Sequence, residues 1–103
     1  MSASLPMNDI LEQTGLFSVY GTLKEETPAP YLVWYGNGQN TSQADNTHYF
    51  RENNYIIEYY FELKDPDTEE LIETTLLEAG LNYEKSEDVY IDDEHVFLIY
   101  YYI

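Results

Sequence analysis

The alternation of apolar and polar positions is most regular over residues 49–63, where its period of two predicts a long β-strand. One face of this strand is wholly apolar or aromatic: Tyr55, Ile57, Tyr59, Phe61 and Leu63. The other face mixes apolar and acidic residues: Ile56, Glu58, Tyr60 and Glu62. We expect the first face to pack in the core, and the second to face water or to make contacts with a partner.

Four further segments have the composition of strands. Residues 17–23 form the first, and residues 31–35 form a short strand that is almost wholly apolar. Residues 81–91 contain a strand with irregular patterning, and the acidic turn 92–94 leads into a last strand over residues 95–102. Both faces of that last strand are apolar, which favours a central position in a sheet or half of an interface.

Two helices are predicted from the spacing of apolar residues and from their end signals. Residues 4–14 form a short one, with Met7, Ile10 and Leu11 on one face. The second begins at Asp65 and Pro66, which suit the N-cap and the first helical position, and it ends at Gly80. Its apolar stripe consists of Leu71, Ile72, Thr75, Leu76 and Ala79.

The second helix also carries an unfavourable pair of charges. Glu69 and Glu73 lie one turn apart, where like charges cost about 0.2–0.5 kcal/mol. No Lys or Arg lies within this helix to offset the repulsion. Burial of each large apolar side chain contributes about 1.5–3 kcal/mol, so we expect packing to outweigh it.

Residues 36–47 are the least patterned segment of the chain. They include two glycines, one charge and no strongly apolar residue. We expect a flexible loop at the tip of a long hairpin. The element order is then α-β-β-β-α-β-β, which predicts one α+β domain over residues 1–103. Its two layers are an antiparallel-rich sheet and helices packed on one face of it.

The composition narrows the classes of partner. The chain has twenty Asp and Glu residues but only four Lys and Arg, which gives a net charge of -16, and twelve residues are tyrosine. Such a charge opposes specific nucleic-acid binding, which requires cations to replace phosphate counterions, and it opposes adhesion to anionic membranes. Without cysteine, disulfides and thiolate metal sites are excluded. Abundant tyrosine in strands indicates a protein that makes contacts.

Candidate chemistry is sparse. The sequence Asp92, Asp93, Glu94, His95 is the densest group of potential metal ligands, but consecutive residues on an extended turn point apart, so we interpret it as a solvated turn. No nucleophile elbow, phosphate loop or dinucleotide fingerprint is present. We therefore expect no enzyme activity, cofactor or resident metal.

The order of the segments and their residue patterns resemble those of a known family. The similarity is carried by the segment 19–22 that follows the first helix, the proline-flanked strand 28–33, the long hairpin with its second arm at 53–60, and the helix that opens at 64–67 and ends at 78–81. In these respects the chain resembles the small tail terminator or head–tail joining proteins of long-tailed bacteriophages and of prophages of Gram-positive bacteria. The resemblance spans almost the whole chain and includes no catalytic motif.

The resemblance implies a structural virion protein, assembled in the bacterial cytoplasm and located at the head–tail interface. Members of this family form a ring, typically a hexamer, on the end of the tail tube, where they stop tube growth and meet the head connector protein. The expected partners are thus further copies of the chain, the tail tube protein and the head connector. An acidic ring would also repel DNA that passes through it.

Six residues are candidate contacts with a partner or a second copy. Asn37, Gln39, Asn40 and Gln43 come from the predicted loop, which the resemblance assigns to contact with a neighbour; Tyr60 comes from the mixed face of the long strand, and Tyr101 from the last strand. One alternative stays open. An acidic protein that mimics DNA and inhibits a DNA-binding enzyme would also explain the charge, although the acids form no long regular row.

Overall fold

A computed structural model describes residues 7–41 and 51–103. The elements in chain order are α1 Met7–Glu12, β1 Phe17–Tyr20, β2 Tyr31–Thr41, β3 Arg51–Phe61, α2 Pro66–Glu78, β4 Glu84–Lys85, β5 Val89–Ile91 and β6 Val96–Tyr102. The predicted α+β class and element order are confirmed, with the irregular fourth strand present as the two short strands β4 and β5.

The strands form one mixed sheet in the order β1-β2-β3-β6, with β4 and β5 paired to the outer edge of β6. Strands β1 and β2 run parallel, and all other pairs are antiparallel. Tyr59 lies opposite Ile99, and Leu32 lies opposite Tyr59, so the same face continues across three strands. The prediction of an antiparallel-rich sheet is therefore confirmed.

Both helices pack against one face of this sheet. The buried cluster joins residues of the two helices to the sheet: Met7, Ile10, Leu11, Ile72 and Leu76 from the helices, and Leu32, Ile57, Tyr59, Phe61, Ile99 and Tyr101 from the strands. The predicted core face of the long strand is correct from Tyr55 to Phe61. Leu63 is an error in that prediction, because β3 ends at Phe61 and the Leu63 side chain is 83% exposed.

The start and end of α2 follow the predicted signals. The Asp65 side chain accepts hydrogen bonds from the Asp67 backbone N–H and the Thr68 hydroxyl, and Pro66 begins the helix. Gly80 has a φ of 84°, which closes the helix in the left-handed region. The predicted apolar stripe is wrong at both ends, since Leu71 and Ala79 are exposed. The helix buries Glu69 instead.

Two strand ends also differ from expectation. The first strand ends at Tyr20 because the next residue, Gly21, turns the chain with a φ of 86°. The last strand begins at Val96, and His95 belongs to the preceding turn with a φ of 57°. In both places a residue in the left-handed backbone region ends the regular strand pairing. The alternation of apolar and polar residues does not predict such a backbone position.

A two-stranded ribbon extends from the sheet. Residues 36–41 of β2 pair with residues 51–55 of β3, past the last positions where β1 and β6 pair with these strands, with a register shift between Gly36 and Gln39. The molecule is accordingly elongated, at 49 × 26 × 25 Å. Residues 36–41, predicted as loop, belong to a strand; residues 42–47 of that prediction lie outside the described residues.

Trp34 lies at the root of this ribbon, on the face covered by the helices. Its ring makes edge-on contacts with the rings of Tyr20 and Tyr55, with centroid distances of 4.9 and 5.9 Å. The only tryptophan of the chain is thus held at the point where the ribbon leaves the core.

Candidate interaction face

The opposite face of the sheet is covered by neither α1 nor α2 and is rich in tyrosine. Strand pairing places five tyrosines around one carboxylate on it, and we call this group the tyrosine face: Tyr31, Tyr35, Glu58, Tyr60, Tyr100 and Tyr102. Because β2, β3 and β6 are adjacent, alternate residues from each strand meet here in three successive rows. Glu58 occupies the middle row, opposite Val33 on one side and Tyr100 on the other.

Glu58 is held by two tyrosine hydroxyls. Tyr35 Oη donates a 2.6 Å hydrogen bond to Glu58 Oε2, and Tyr60 Oη donates one of 2.6 Å to Oε1. Bonds this short are typical of donation to a charged oxygen, and they are stronger than neutral ones. The carboxylate is therefore fixed in position, while each of its oxygens still has a lone pair available for a further donor.

The tyrosine rings also support one another. The rings of Tyr31 and Tyr60 stack with centroids 4.8 Å apart, and those of Tyr100 and Tyr102 stack at 5.8 Å. Burial, followed by hydrogen bonding to Glu58, raises the pKa of both Tyr35 and Tyr60 well above the ordinary value of 10. These hydroxyls consequently remain donors across the physiological pH range.

Apolar side chains fill the space between the tyrosines of the tyrosine face, and acidic side chains lie at its margins. Val33, Ile56 and Leu98 lie between the tyrosines on the same face. Phe17 and Val89, at the two edges of that face, are exposed, as is Tyr102. Glu58 is the one carboxylate among the five tyrosines, while Glu84, opposite Tyr102, and Glu94, beside Tyr31, lie at the margins of the face. In a chain of net charge -16, an aromatic centre with an acidic rim is the expected character of an interaction surface.

Two connected concavities lie beside the tyrosine face. An inner pocket of about 230 Å³ is lined by Tyr31, Tyr60 and Glu58, together with Leu23 and Glu94 from two loops. An outer groove of about 920 Å³ shares Leu23, Tyr31 and Glu94 with it and continues along the 23–29 segment. The loop between β1 and β2 and the turn before β6 therefore form the walls, and the sheet forms the floor.

An ion-pair network lies on the other side of the molecule, where α2 meets β4. Lys85 Nζ lies 2.8 Å from Glu69 Oε1 and 2.7 Å from Glu73 Oε2. Lys64 Nζ lies 2.8 Å from Glu69 Oε2 and 3.0 Å from Asp88 Oδ2. Two of the four basic residues of the chain thus compensate three carboxylates. The network joins α2 to the segment that contains β4 and the residues before β5.

The candidate contact residues predicted from sequence are only partly brought together. Tyr60 lies on the tyrosine face. Tyr101 was predicted wrongly, because its side chain is 0% exposed on the helix-covered face and its hydroxyl donates a 2.8 Å hydrogen bond to Glu73. Asn37, Gln39 and Asn40 fall in β2, within the ribbon, and Gln43 lies outside the described residues.

The prediction missed Tyr35, Glu58, Tyr100 and Tyr102. The sequence does indicate which residues share a face of each strand, since side chains alternate with a period of two. Choosing between the two faces of β6 required the register against β3, which pairs Glu58 with Tyr100. The aromatic run at the end of β6 is ambiguous until a neighbouring strand is assigned, so the pattern alone does not separate Tyr101 from Tyr100 and Tyr102.

The described residues meet neither the requirements of a metal site nor those of a membrane-spanning helix. Within residues 7–41 and 51–103, no group of three or more His, Asp or Glu side chains is arranged to hold a metal ion. His95, from the acidic turn, instead contacts the Tyr90 hydroxyl through Nδ1 at 3.3 Å. In the same part of the chain, no helix has the length and apolar character needed to cross a membrane.

Comparison with known proteins assigns no family. No protein-family model matches the sequence, and no curated protein is significantly similar to it. The tyrosine face and its two concavities are therefore the principal basis for a functional assignment.

Proposed function

We propose that the protein is a structural virion component that caps the tail tube of a long-tailed phage and joins it to the head by assembling as a ring. The observation that carries the proposal is the tyrosine face, which α1 and α2 leave uncovered and whose five tyrosines surround Glu58, with other carboxylates at its margins. Its position on the adjacent strands β2, β3 and β6 suits repeated contact between identical subunits.

The energetics of the tyrosine face favour contact with another protein. Tyrosine buries a large ring with little loss of side-chain entropy and can still bond through its hydroxyl, which is why it is enriched at interfaces. Glu58 already accepts two hydrogen bonds, so covering it costs less than desolvating a free carboxylate. The remaining acidic surface repels other copies, so association must depend on this face.

The ribbon gives a second reason for the proposal. Its six residues from 36 to 41 extend about 20 Å at ~3.3 Å per residue, away from the helix-covered core. Between residues 36 and 41, the described part of β2 pairs only with β3, so the outer edge of the ribbon presents backbone groups that another strand could bond. An arm of this kind suits contact with a neighbouring subunit or with a tube subunit.

Deletion of the gene in its phage or prophage tests the proposal. Electron microscopy should show overlong tails without heads, and the wild-type gene should restore normal particles. A gene encoding Tyr102→Asp, which introduces charge on the tyrosine face, should fail to restore them. Tyr90→Asp places the same charge on the helix-covered side of the sheet, at a residue of similar exposure, and should restore them.

Two outcomes would contradict the proposal. Normal particles from the deletion strain would show that neither termination nor joining requires the protein. Affinity capture from the host that yields a DNA-processing enzyme, with no tail or head component, would favour the DNA-mimic alternative.

A further inference from the structure

We propose that the inner pocket and outer groove together bind an arginine-bearing segment of a basic partner protein, with one arginine side chain in the inner pocket. This inference goes beyond the proposed function because it specifies the chemistry of a partner. It does not require that partner to be a tail component.

The walls of the inner pocket suit a flat cation. The half-buried ring of Tyr60, stacked on the buried ring of Tyr31, provides aromatic surface, and Glu58 and Glu94 provide carboxylates in the same lining. A guanidinium group can lie against a tyrosine face through a cation–π contact while its N–H groups bond carboxylate oxygens. Glu58 is held in position by Tyr35 and Tyr60, so it does not have to be ordered when the cation binds.

The volume fits one long side chain. The inner pocket of about 230 Å³ corresponds to about eight water molecules at ~30 Å³ each. It shares Leu23, Tyr31 and Glu94 with the outer groove of about 920 Å³, which has room for neighbouring residues of an extended segment. A free small amine would leave most of this space empty, so a polypeptide is the better occupant.

The charge of the outer groove complements a basic segment. Its lining includes five carboxylates and one ammonium group: Glu25, Glu26, Glu62, Asp93, Glu94 and Lys24. Its floor is apolar, with Tyr31 and Val96. A local excess of carboxylates in a concave site attracts cations and accelerates their encounter with it.

A second copy of the chain is the weaker candidate for the occupant. Of the four basic residues, Lys64 and Lys85 are held in the ion-pair network, and Lys24 already lines the groove. The fourth, Arg51, is the only arginine and is followed by the acidic Glu52, so the chain has no basic segment to offer. A copy of net charge -16 would also be repelled by the groove. A different protein with a basic surface or tail meets the requirement without either difficulty.

Peptide titration followed by nuclear magnetic resonance tests the inference on the full-length chain. The probes are short acetylated and amidated glycine–serine peptides with arginines at alternate positions, and matched peptides with citrulline or lysine. Citrulline has nearly the shape of arginine but no charge. We expect the arginine peptide to shift the amide signals of Tyr31, Glu58, Tyr60 and Glu94, the lysine peptide to bind more weakly, and citrulline to leave them unchanged.

Charge-neutral variants localise the site. Glu58→Gln and Glu94→Gln should each weaken binding of the arginine peptide about tenfold, as expected for the loss of one charge-assisted bond. Glu78→Gln removes the same charge from exposed α2 on the opposite side and should change the affinity less than about twofold. Because Glu94 is exposed in a turn, its variant tests the site even if Glu58→Gln perturbs folding.

Three results would overturn the inference. Equal binding of the arginine and citrulline peptides would exclude a cation site, and equal loss with Glu78→Gln would reduce the effect to net charge. Signal changes on dilution without peptide at Glu25 and Glu26, which line the outer groove but lie outside the tyrosine face, would indicate that a second copy occupies the groove. Peptide binding and particle morphology are measured separately, so either proposal can fail while the other stands.

Discussion

Lys85 Nζ lies 2.8 Å from Oε1 of Glu69, a residue sixteen positions earlier in the chain whose side chain is 6% exposed. The contact connects β4 to α2. It also offsets the repulsion predicted between Glu69 and Glu73, because the same ammonium group lies 2.7 Å from Glu73. A cation that the sequence of the helix lacks is supplied by a strand edge.

Replacement of Lys85 with Met should destabilise the fold. Glu69 and Glu73 would lose their shared cation while Glu69 stays buried, although Lys64 still contacts Glu69. We expect the free energy of unfolding to fall by about 1–2 kcal/mol, discounted for the partial exposure of Lys85. Each kcal/mol corresponds to a decrease in Tm of about 4–8 °C, measurable by calorimetry.

Lys24→Met is the matched control for this loss. It removes the same charge from an exposed loop, with no ion pair to the described carboxylates, and it should change Tm by less than half as much. If both variants lose the same stability, general electrostatics rather than the network accounts for the effect.

Glu73 should make the stability depend on pH in acid. Burial opposes its ionisation, but hydrogen bonds from Lys85 and Tyr101 outweigh that effect, so its pKa lies below the usual value of 4.5. A depressed pKa in the folded state adds stability above the unfolded pKa, and this stability is lost as pH falls through the folded pKa. The stability difference between wild type and Glu73→Gln should shrink toward zero below about pH 4.

Chemical denaturation at a series of pH values measures this difference. Both proteins lose net negative charge in acid, so the general relief of repulsion cancels in the comparison. Glu78→Gln, on the same helix but exposed, should show no pH-dependent difference from wild type. A constant difference for Glu73→Gln between neutral pH and about pH 3 would contradict the assignment.

The tyrosine face should determine the response to alkali. Burial and hydrogen bonding to Glu58 raise the pKa of Tyr60, so the folded state favours its neutral form. The associated stability is complete below about pH 10 and is lost as pH rises further, because the unfolded chain then ionises more readily. Tyr60→Phe should cost about 1 kcal/mol at neutral pH and make the loss of stability above pH 10 less steep.

Ultraviolet absorbance of tyrosinate, recorded together with denaturation, follows both events. Tyr20→Phe removes an exposed tyrosine from the other face and should leave the alkaline slope as it is in wild type. An unchanged slope in Tyr60→Phe would show that the Tyr60–Glu58 bond does not restrain ionisation.

Self-association should strengthen with salt and depend on Tyr102. Screening reduces the repulsion between copies of charge -16, while the apolar contacts of the tyrosine face persist. Light scattering should detect a monomer or weak association at low ionic strength and larger species at high ionic strength. Tyr102→Asp should abolish that increase, and Tyr90→Asp should retain it. Association that weakens as salt rises would contradict this account.

The local signals in the sequence predicted most of the fold. Asp65, Pro66 and Gly80 define α2 through backbone chemistry that is independent of the rest of the structure, and the period of two in β3 identifies its core face. Leu63 and Leu71 were placed wrongly because their pattern continues past the point where the tertiary structure gives them something to contact.

The candidate site was harder to predict from the sequence, because it depends on pairing between distant segments. Glu58, Tyr35 and Tyr100 are brought together only by the registers of β2 and β6 against β3. The ribbon was missed for a related reason. The polar residues 36–41 have little strand propensity, yet backbone pairing with β3 holds them in β2.

The location of Trp34 allows its fluorescence to report contacts made by the ribbon. The indole lies beneath the ribbon, between Tyr20 and Tyr55, and on the opposite side of the sheet from Glu58. Docking of the ribbon on a partner should therefore alter the emission of this single indole without any attached dye, whereas occupancy of the inner pocket by arginine should leave it nearly constant.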